Sequence, residues 1–385
     1  MNILCIDQFT QNGGAQRCLT DLLPAFLERR WSVHLSAPGA GSVLSTARAL
    51  GVEIHMFHSH SYRNGQKSSL DLLRYGHDLI RVTRTIRRLA SNHDIKLLYV
   101  NGPRFLPAAA IVARSSSIPL IFHCHNRVVQ SAAISALRSA LRLSDANVIA
   151  CCKYVAEPIR NCLPEEQVSI VYNGVAAVQP QPATSPRTGP TIGVIGRIEE
   201  EKGQLAFALA ARSILKQRPN CRFSIIGAPL FAGSAYLERV IQASYGLPIE
   251  FLGWQDDIGK VLASLDLLIV PSSPIDATTR VIVEAFAAGV PVVAFPSGGI
   301  PEVLFDEQTG FLARAHSPEA LAARTIAVLS MPKERVQSVV DLARKRWREN
   351  YTLDAYRDRV LEVISRVVGR SQCMACKTVG TKVHA

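Results

Sequence analysis

The chain has 385 residues, 48% apolar and 19% charged, a balance that suits a large buried core and excludes wholesale disorder or a coiled-coil rod. At about 150 residues per domain there is room for two or three domains. The net charge is +12, with +8 on residues 1–185 and +4 on the remainder, so the first half is expected to face something anionic.

In chain order, short Val/Ile/Leu-rich runs predict strands at Asn2–Ile6, Ser32–Ser36, Glu53–Phe57, Lys96–Val100, Leu120–His123, Asn147–Ala150 and Val168–Tyr172. Each is followed by a turn and then by helix-like sequence. That rhythm predicts α/β architecture with parallel sheets, whose strands are apolar throughout because both faces are covered. Residues 176–190 carry four prolines and no periodicity and read as a linker. The rhythm then restarts at Thr191–Ile195, Phe223–Ile226, Ile249–Leu252, Leu267–Val270 and Val292–Ala294. Two Rossmann-like, doubly wound parallel-sheet domains are therefore expected, at 1–180 and 188–346. The polar stretch 370–385 reads as a disordered tail. One large doubly wound domain is the alternative.

The longest apolar stretch, Val281–Phe295, contains Glu284, Gly289 and Pro291 and falls short of the ~20 residues of a membrane span. The start, MNILCIDQF, has no basic region and meets Asp7 early, unlike a secretory signal. Nine cysteines lack the spacing of a disulfide framework, which points to a reducing compartment. A cytoplasmic chain is expected.

Several stretches carry chemistry. Gly13-Gly14 lies between the first strand and a helix, where free amides and the helix dipole attract phosphate; a plain tight turn is the alternative, and the spacing is not GxGxxG. Arg197 and Lys202 flank the turn after the Thr191–Ile195 strand, a fork and a point charge suited to a diphosphate. The three glutamates between them fit equally a solvated helix start with the cations in surface pairs. Asp276 lies in a loop after a buried strand and Glu284 in the following helix, so two acids are placed where open α/β sheets bind ligands. Phe295–Val303 is another glycine-rich strand end. His55, His58 and His60 read as a solvated loop, and Cys373 and Cys376 are a lone pair short of a four-ligand site. Residues 70–90 form an amphipathic helix, with Leu72, Tyr75, Leu79, Val82, Ile86 and Leu89 on the apolar face and Arg74, Arg81, Arg84, Arg87 and Arg88 elsewhere. It is either an ordinary half-solvated helix or a cationic surface for anionic lipid. Nucleic acid is disfavoured, because no stacking aromatics interleave these arginines.

Taken together, GGAQR, YNGV (Tyr172–Val175), GRIEEEKG, the Asp276-to-Glu284 segment with EAFAAGVPVVA, GGIPEV and TGFLAR (Thr309–Arg314) resemble the retaining glycosyltransferases of family 4, in order and spacing over roughly residues 1–365. The resemblance implies the GT-B architecture, with two Rossmann-like domains facing across a cleft, and a terminal helix, 347–368, packing back on the first. It implies a nucleotide-diphosphate sugar, UDP- or GDP-linked rather than ADP-linked, as donor, and a glycan or lipid-linked acceptor. Arg197 and Lys202 would grip the diphosphate and Glu284 the ribose hydroxyls. Asp276 would contact the transferred sugar, with one methylene less than the family's usual Glu, and Thr278-Thr279 replaces the usual Phe-Gly. Gly13 and Gly14 would offer backbone amides to the phosphates, and His125, rather than His123, would stand beside the sugar. The implied catalytic set is His125, Asp276, Arg197 and Lys202. The implied donor-binding set is Gly13, Gly14, Arg197, Lys202, Arg280, Val281 and Glu284. No metal ligand and no cofactor are expected, since the chain has no Asp-x-Asp pair. A front-face mechanism, with the departing phosphate helping to deprotonate the acceptor, follows from the same resemblance. A sugar-nucleotide epimerase of the same fold and a non-catalytic nucleotide-sugar sensor are the rival readings. Cell-surface polysaccharide or glycolipid synthesis at the inner membrane face, with the 70–90 helix in peripheral contact, is the expected setting.

Overall fold

Near-continuous apolar runs separated by Gly, Pro and polar turns build two series of βα units. The computed structural model describes residues 1–60, 69–178, 189–230, 234–277 and 279–380; for 69, 234 and 371–380 it describes the backbone alone. The first series runs β1 (Asn2–Asp7), α1 (Gly14–Glu28), β2 (Ser32–Pro38), α2 (Ser42–Ala49), β3 (Glu53–Phe57), α3 (Ser69–Asn92) and β4 (Leu97–Asn101). It continues through α4 (Leu106–Ser116), β5 (Leu120–Cys124), α5 (Ser131–Leu143), β6 (Asn147–Ala150), α6 (Lys153–Arg160) and β7 (Val168–Ile170). The second runs β8 (Thr191–Ile195), α7 (Gln204–Gln217), β9 (Arg222–Ile226), α8 (Ser234–Ser244), β10 (Ile249–Gly253), α9 (Ile258–Ala263), β11 (Leu267–Val270) and α10 (Arg280–Ala288). It closes with β12 (Val292–Ala294), α11 (Ile300–Val303), β13 (Phe311–Leu312), α12 (Pro318–Leu329), α13 (Lys333–Asn350) and α14 (Leu353–Gly380).

The chain divides into two compact units, 1–172 with 356–385 and 173–355. In the first, seven parallel strands follow the order β3-β2-β1-β4-β5-β6-β7; in the second, six follow β10-β9-β8-β11-β12-β13. Each order reverses beside the unit's first strand, between β1 and β4 and between β8 and β11. These are the switch points where an open sheet leaves a crevice at the carboxyl ends of its strands. Each unit has its own core. Ile3, Leu4, Leu98, Phe122 and Ile149 are fully buried in the first, and Ile192, Phe207, Ile225, Ile269 and Phe311 in the second.

Several expectations need correction. The terminal helix expected over 347–368 is two helices. Tyr351 and Thr352 interrupt it, because the Thr352 hydroxyl accepts a bond from the Ala355 amide at 3.2 Å and caps a new helix start. Trp347 belongs to α13 and donates its indole N–H to the Val175 carbonyl at 3.3 Å, inside the second unit. In α14, Tyr356 donates to the Cys18 carbonyl at 3.3 Å and Arg357 to the Asp21 carbonyl at 2.7 Å, inside the first. The boundary expected near 180 lies at Tyr172, because Val175 bonds to Tyr351 across an isolated bridge.

The stretch 370–380 is not an aperiodic tail: with no proline to stop it, α14 runs on to Gly380. Residues 381–385, most of the expected linker (179–188) and Thr278 lie outside the described residues. On α3, Val82, Ile86 and Leu89 are buried as the spacing predicts, but Leu72 is 62% exposed. His55 is not in a solvated loop; it lies in β3 and is half-buried. The two-residue β13 gives no periodic signal and was not expected.

Candidate active site

In the first unit the carboxyl ends of β1, β4 and β5 converge on a buried polar chain. Asp7 ends β1 and is fully buried. Its Oδ1 accepts from Gln16 Nε2 and the Phe9 amide, both at 2.9 Å, and its Oδ2 accepts from Asn101 Nδ2 at 2.5 Å. Asn101 also donates to the Ala15 carbonyl at 3.2 Å, so its amide nitrogen is committed and its Oδ1 faces His125 Nε2 at 2.7 Å. That orientation puts the imidazole proton on Nε2. His125 Nδ1 is then a buried acceptor with no hydrogen-bond partner among the described residues. Burial pushes the His125 imidazole down to about 3, so the ring is neutral at pH 7, and pushes the Asp7 carboxyl up to about 6 despite its donors. His123, the alternative histidine, is fully buried behind it and bonded to the Tyr99 hydroxyl at 2.6 Å. The ring centroids of the two histidines are 3.9 Å apart.

Gly13 precedes α1, whose first turn carries no acidic residue and no side-chain cap, leaving its amides for an anion. A Cβ at Gly13 would meet Gln16 Oε1 at 2.8 Å, whereas one at Gly14 would meet nothing within 4 Å. An added side chain at Gly13 would therefore displace the end of the glutamine that holds Asp7, and no backbone.

In the second unit the carboxyl ends of β8 and β11 carry the charged candidates as ion pairs. Lys202 Nζ lies 2.6 Å from Asp276 Oδ2, with both side chains less than one-fifth exposed. The Arg197 guanidinium lies 2.6 Å from Glu199 Oε1, and Arg280 pairs with Glu284 one helical turn on, at 3.0 Å. The structure thus brings Lys202 to Asp276, Arg280 to Glu284 and Arg197 to Glu199, which is buried and not part of a solvated helix start. Glu199 is 7% exposed, and burial raises its carboxyl against the pull of Arg197 and Lys202. A lysine has three protons, so the one given to Asp276 leaves two for a ligand oxygen.

Backbone packing holds this arrangement. Gly203 sits at φ +72 between Lys202 and α7, and a Cβ there would lie 1.9 Å from the Pro271 carbonyl. Gly298, at φ +53, backs the loop of Asp276, whose carbonyl would be 1.9 Å from an added Cβ. Both glycines meet the double demand of left-handed backbone and close approach. The Ser273 amide ties the same loop to the Glu201 carbonyl at 2.8 Å. Val281 lies in the first turn of α10, which starts at Arg280 with no acidic residue in that turn.

Asp7, Gln16, Asn101 and Glu199 join the site without being expected from the sequence. The polar residues Asp7 and Asn101 at the ends of otherwise apolar strands were the available signal for two of them.

Two doubly wound parallel-sheet units, each with a polar cluster at the carboxyl edge of its strands, define the class as a GT-B fold. Residues 12–178 match the family model described as Glycosyltransferase Family 4, and residues 189–331 match the model described as Glycosyl transferases group 1. The chain belongs to the family 4 type of glycosyltransferase. It is 26% identical over 347 residues to a phosphatidyl-myo-inositol mannosyltransferase of Mycobacterium leprae, covering 86% of this chain and 87% of the relative. A lipopolysaccharide 1,2-N-acetylglucosaminetransferase of Salmonella typhimurium is 29% identical over 230 residues, covering 55% of this chain and 57% of that one. Among solved structures, Anabaena HepE in complex with UDP-glucose superposes with a TM-score of 0.78 at 23% identity, over 95% of this chain and 100% of HepE.

Proposed function

We propose that the protein transfers a sugar, with retention of anomeric configuration, from a nucleoside diphosphate sugar to a lipid-linked or glycan acceptor. The observation that carries this reading is the set of ion pairs at the carboxyl edge of β8 and β11. Lys202 and Arg197 are held there by Asp276 and Glu199 in positions suited to a diphosphate. Breaking the anomeric bond puts negative charge on the departing phosphate, and cations already in place stabilise it without reorganising. Arg280 and the first-turn amide of Val281 add positive potential at the start of α10. Glu284 takes the ribose hydroxyls, and Asp276 contacts the sugar once the lysine turns to phosphate. In the first domain, Gly13 and Gly14 present the α1 amides to phosphate, and His125 Nδ1 accepts from a sugar hydroxyl. The departing phosphate oxygen takes the proton of the acceptor hydroxyl as the new glycosidic bond forms on the same face. Arginine, lysine and helix dipoles supply the charge for this step, so neither a catalytic metal nor an organic cofactor is part of the proposal. Incubation with UDP-, GDP- and ADP-sugars and a glycolipid acceptor tests the class. Transfer to the acceptor supports the reading, whereas an isomerised sugar or binding without turnover overturns it.

The acceptor side rests on α3 and on the names of the relatives. Phosphatidyl-myo-inositol and lipopolysaccharide are both anionic and membrane-borne. On α3, Leu70, Leu73 and Ile80 fall on one stripe and are 53, 73 and 54% exposed. Arg81, Arg84 and Arg88 line a groove of about 330 Å³ beside Ile80. Exposed leucines flanked by arginines match an interfacial helix, and at about 1 kcal/mol per cation the arginines favour an anionic surface. No helix among the described residues is long and apolar enough to cross a membrane. In liposome flotation, the protein is expected to rise with anionic vesicles at low salt and remain behind with neutral ones. The Arg81→Glu/Arg84→Glu variant is expected to bind at least tenfold more weakly. Binding indifferent to lipid charge and to this change contradicts the membrane reading.

A further inference from the structure

At the amino-terminal ends of β2 and β3, away from the sheet edge that carries the catalytic candidates, three histidines and a glutamate point at a common centre. The register pairs His34 with Glu53, and the two-residue period of a strand puts His55 on the same face as Glu53. His93, just past the end of α3, closes the group. One ligand atom from each of the four lies within 4.8 Å of all the others. Nδ1 of His34 is 3.1 Å from Nε2 of His55 and 3.2 Å from Glu53 Oε2, and Glu53 Oε1 is 3.5 Å from His55 Nε2 and 3.9 Å from His93 Nε2. Four ligands about 2.0–2.1 Å from a tetrahedral ion are about 3.3 Å from one another, so the pairs at 3.1, 3.2 and 3.5 Å already match and the wider ones, up to 4.8 Å, have to close by at most about 1.5 Å.

We infer that His34, Glu53, His55 and His93 form a structural zinc site that pins the end of α3 to the β2–β3 edge of the first sheet. The donor set suits zinc, since three imidazoles and one carboxylate complete a closed tetrahedral shell and leave no position for substrate. The surroundings orient the ligands as a metal site requires. The Ser32 hydroxyl lies 3.3 Å from His34 Nε2 and fixes the ring with Nδ1 inward, and Asn2 donates to the His93 carbonyl at 2.6 Å. His34 is buried at 2% exposure, whereas Glu53 is open to solvent, which gives the ion a way in. Arg88 is the nearby cation, and the Glu53 carboxylate offsets it. Unlike His58 and His60, which adjoin His55 in sequence, these ligands come from three separate elements.

The test uses the full chain, purified without a histidine tag and stripped with a chelator. Zn²⁺ is titrated against a chromophoric competitor, and Co²⁺ is followed by visible absorption. Expected are one equivalent bound with sub-micromolar affinity, the intense absorption of tetrahedral cobalt, and a thermal midpoint that rises with zinc. His55→Gln/His93→Gln, checked for folding by circular dichroism, is expected to lose at least 100-fold in affinity and all of the zinc-dependent thermal shift. His60→Gln and Cys373→Ser/Cys376→Ser are expected to keep both. Loss of binding in either control, unchanged binding in His55→Gln/His93→Gln, or weak six-coordinate cobalt absorption overturns the assignment.

Discussion

Lys202→Ala is expected to lower kcat/KM by two to three orders of magnitude, the range seen when one preorganised donor to a developing oxyanion is removed. The side chain is held 2.6 Å from Asp276 and is less than one-fifth exposed, so no other cation of the turn can swing into its place without breaking its own pair. Binding separates this role from simple loss of structure. Affinity for the nucleoside diphosphate is expected to fall far more than affinity for the corresponding monophosphate. Glu284→Ala, by contrast, is expected to weaken both alike, because its proposed partner is the ribose. Asp276→Asn frees the lysine while keeping the side-chain shape, and is expected to tighten the diphosphate and slow turnover. Equal losses for the two nucleotides in Lys202→Ala would remove the lysine from the phosphate site.

The second large effect is at Asp7, which touches no proposed substrate. Asp7→Asn replaces one acceptor oxygen with a donor facing Asn101 or Gln16, both of which already donate to that carboxylate. Relief comes by rotating the Asn101 amide, which then turns a donor toward His125 Nε2. The imidazole proton moves to Nδ1, and the atom proposed to accept from the sugar is lost. A fall of about 10²-fold in kcat is expected, with nitrogen NMR of the imidazole reporting the change of tautomer. An unchanged tautomer would show that Asp7 does not position His125.

The pH dependence has a definite sign. In the folded protein Asp7 titrates at about 6, above the ordinary 3.8, so between pH 4 and 6 the native state holds more protons than the unfolded chain. Stability from this group is largest below pH 4 and falls by about 3 kcal/mol as pH rises to 6. His125, depressed to about 3 from 6.5, acts in the opposite direction: stability lost at low pH is recovered between 3 and 6.5. Wild-type activity is expected to decline below pH 6 as Asp7 gains a proton, and this limb should be absent in Asp7→Asn.

Much of the fold was legible because parallel strands buried on both faces read as plain apolar runs, and the Gly-turn after each marks the next helix. What escaped lacks that signal. β13 is two residues long, and the break at Tyr351–Thr352 depends on a hydroxyl cap that only the three-dimensional course of the chain makes useful. The charged candidates Arg197, Lys202, Asp276, Arg280 and Glu284 were legible as residues but not as pairs. The Lys202–Asp276 contact joins positions 74 apart through two adjacent strand ends. The histidines show the same limit. Proximity in sequence grouped His55 with His58 and His60, whereas strand register and the end of α3 grouped it with His34 and His93.

The protein is proposed to carry out retaining transfer from a nucleoside diphosphate sugar. The most direct measurement of this is proton NMR of the product formed from an α-linked donor, reading the anomeric coupling in the new linkage. An α-linked product is predicted, accompanied by one equivalent of nucleoside diphosphate, with both formed at least about a hundredfold more slowly in Lys202→Ala. A β-linked product, or a sugar isomerised without transfer, would contradict it.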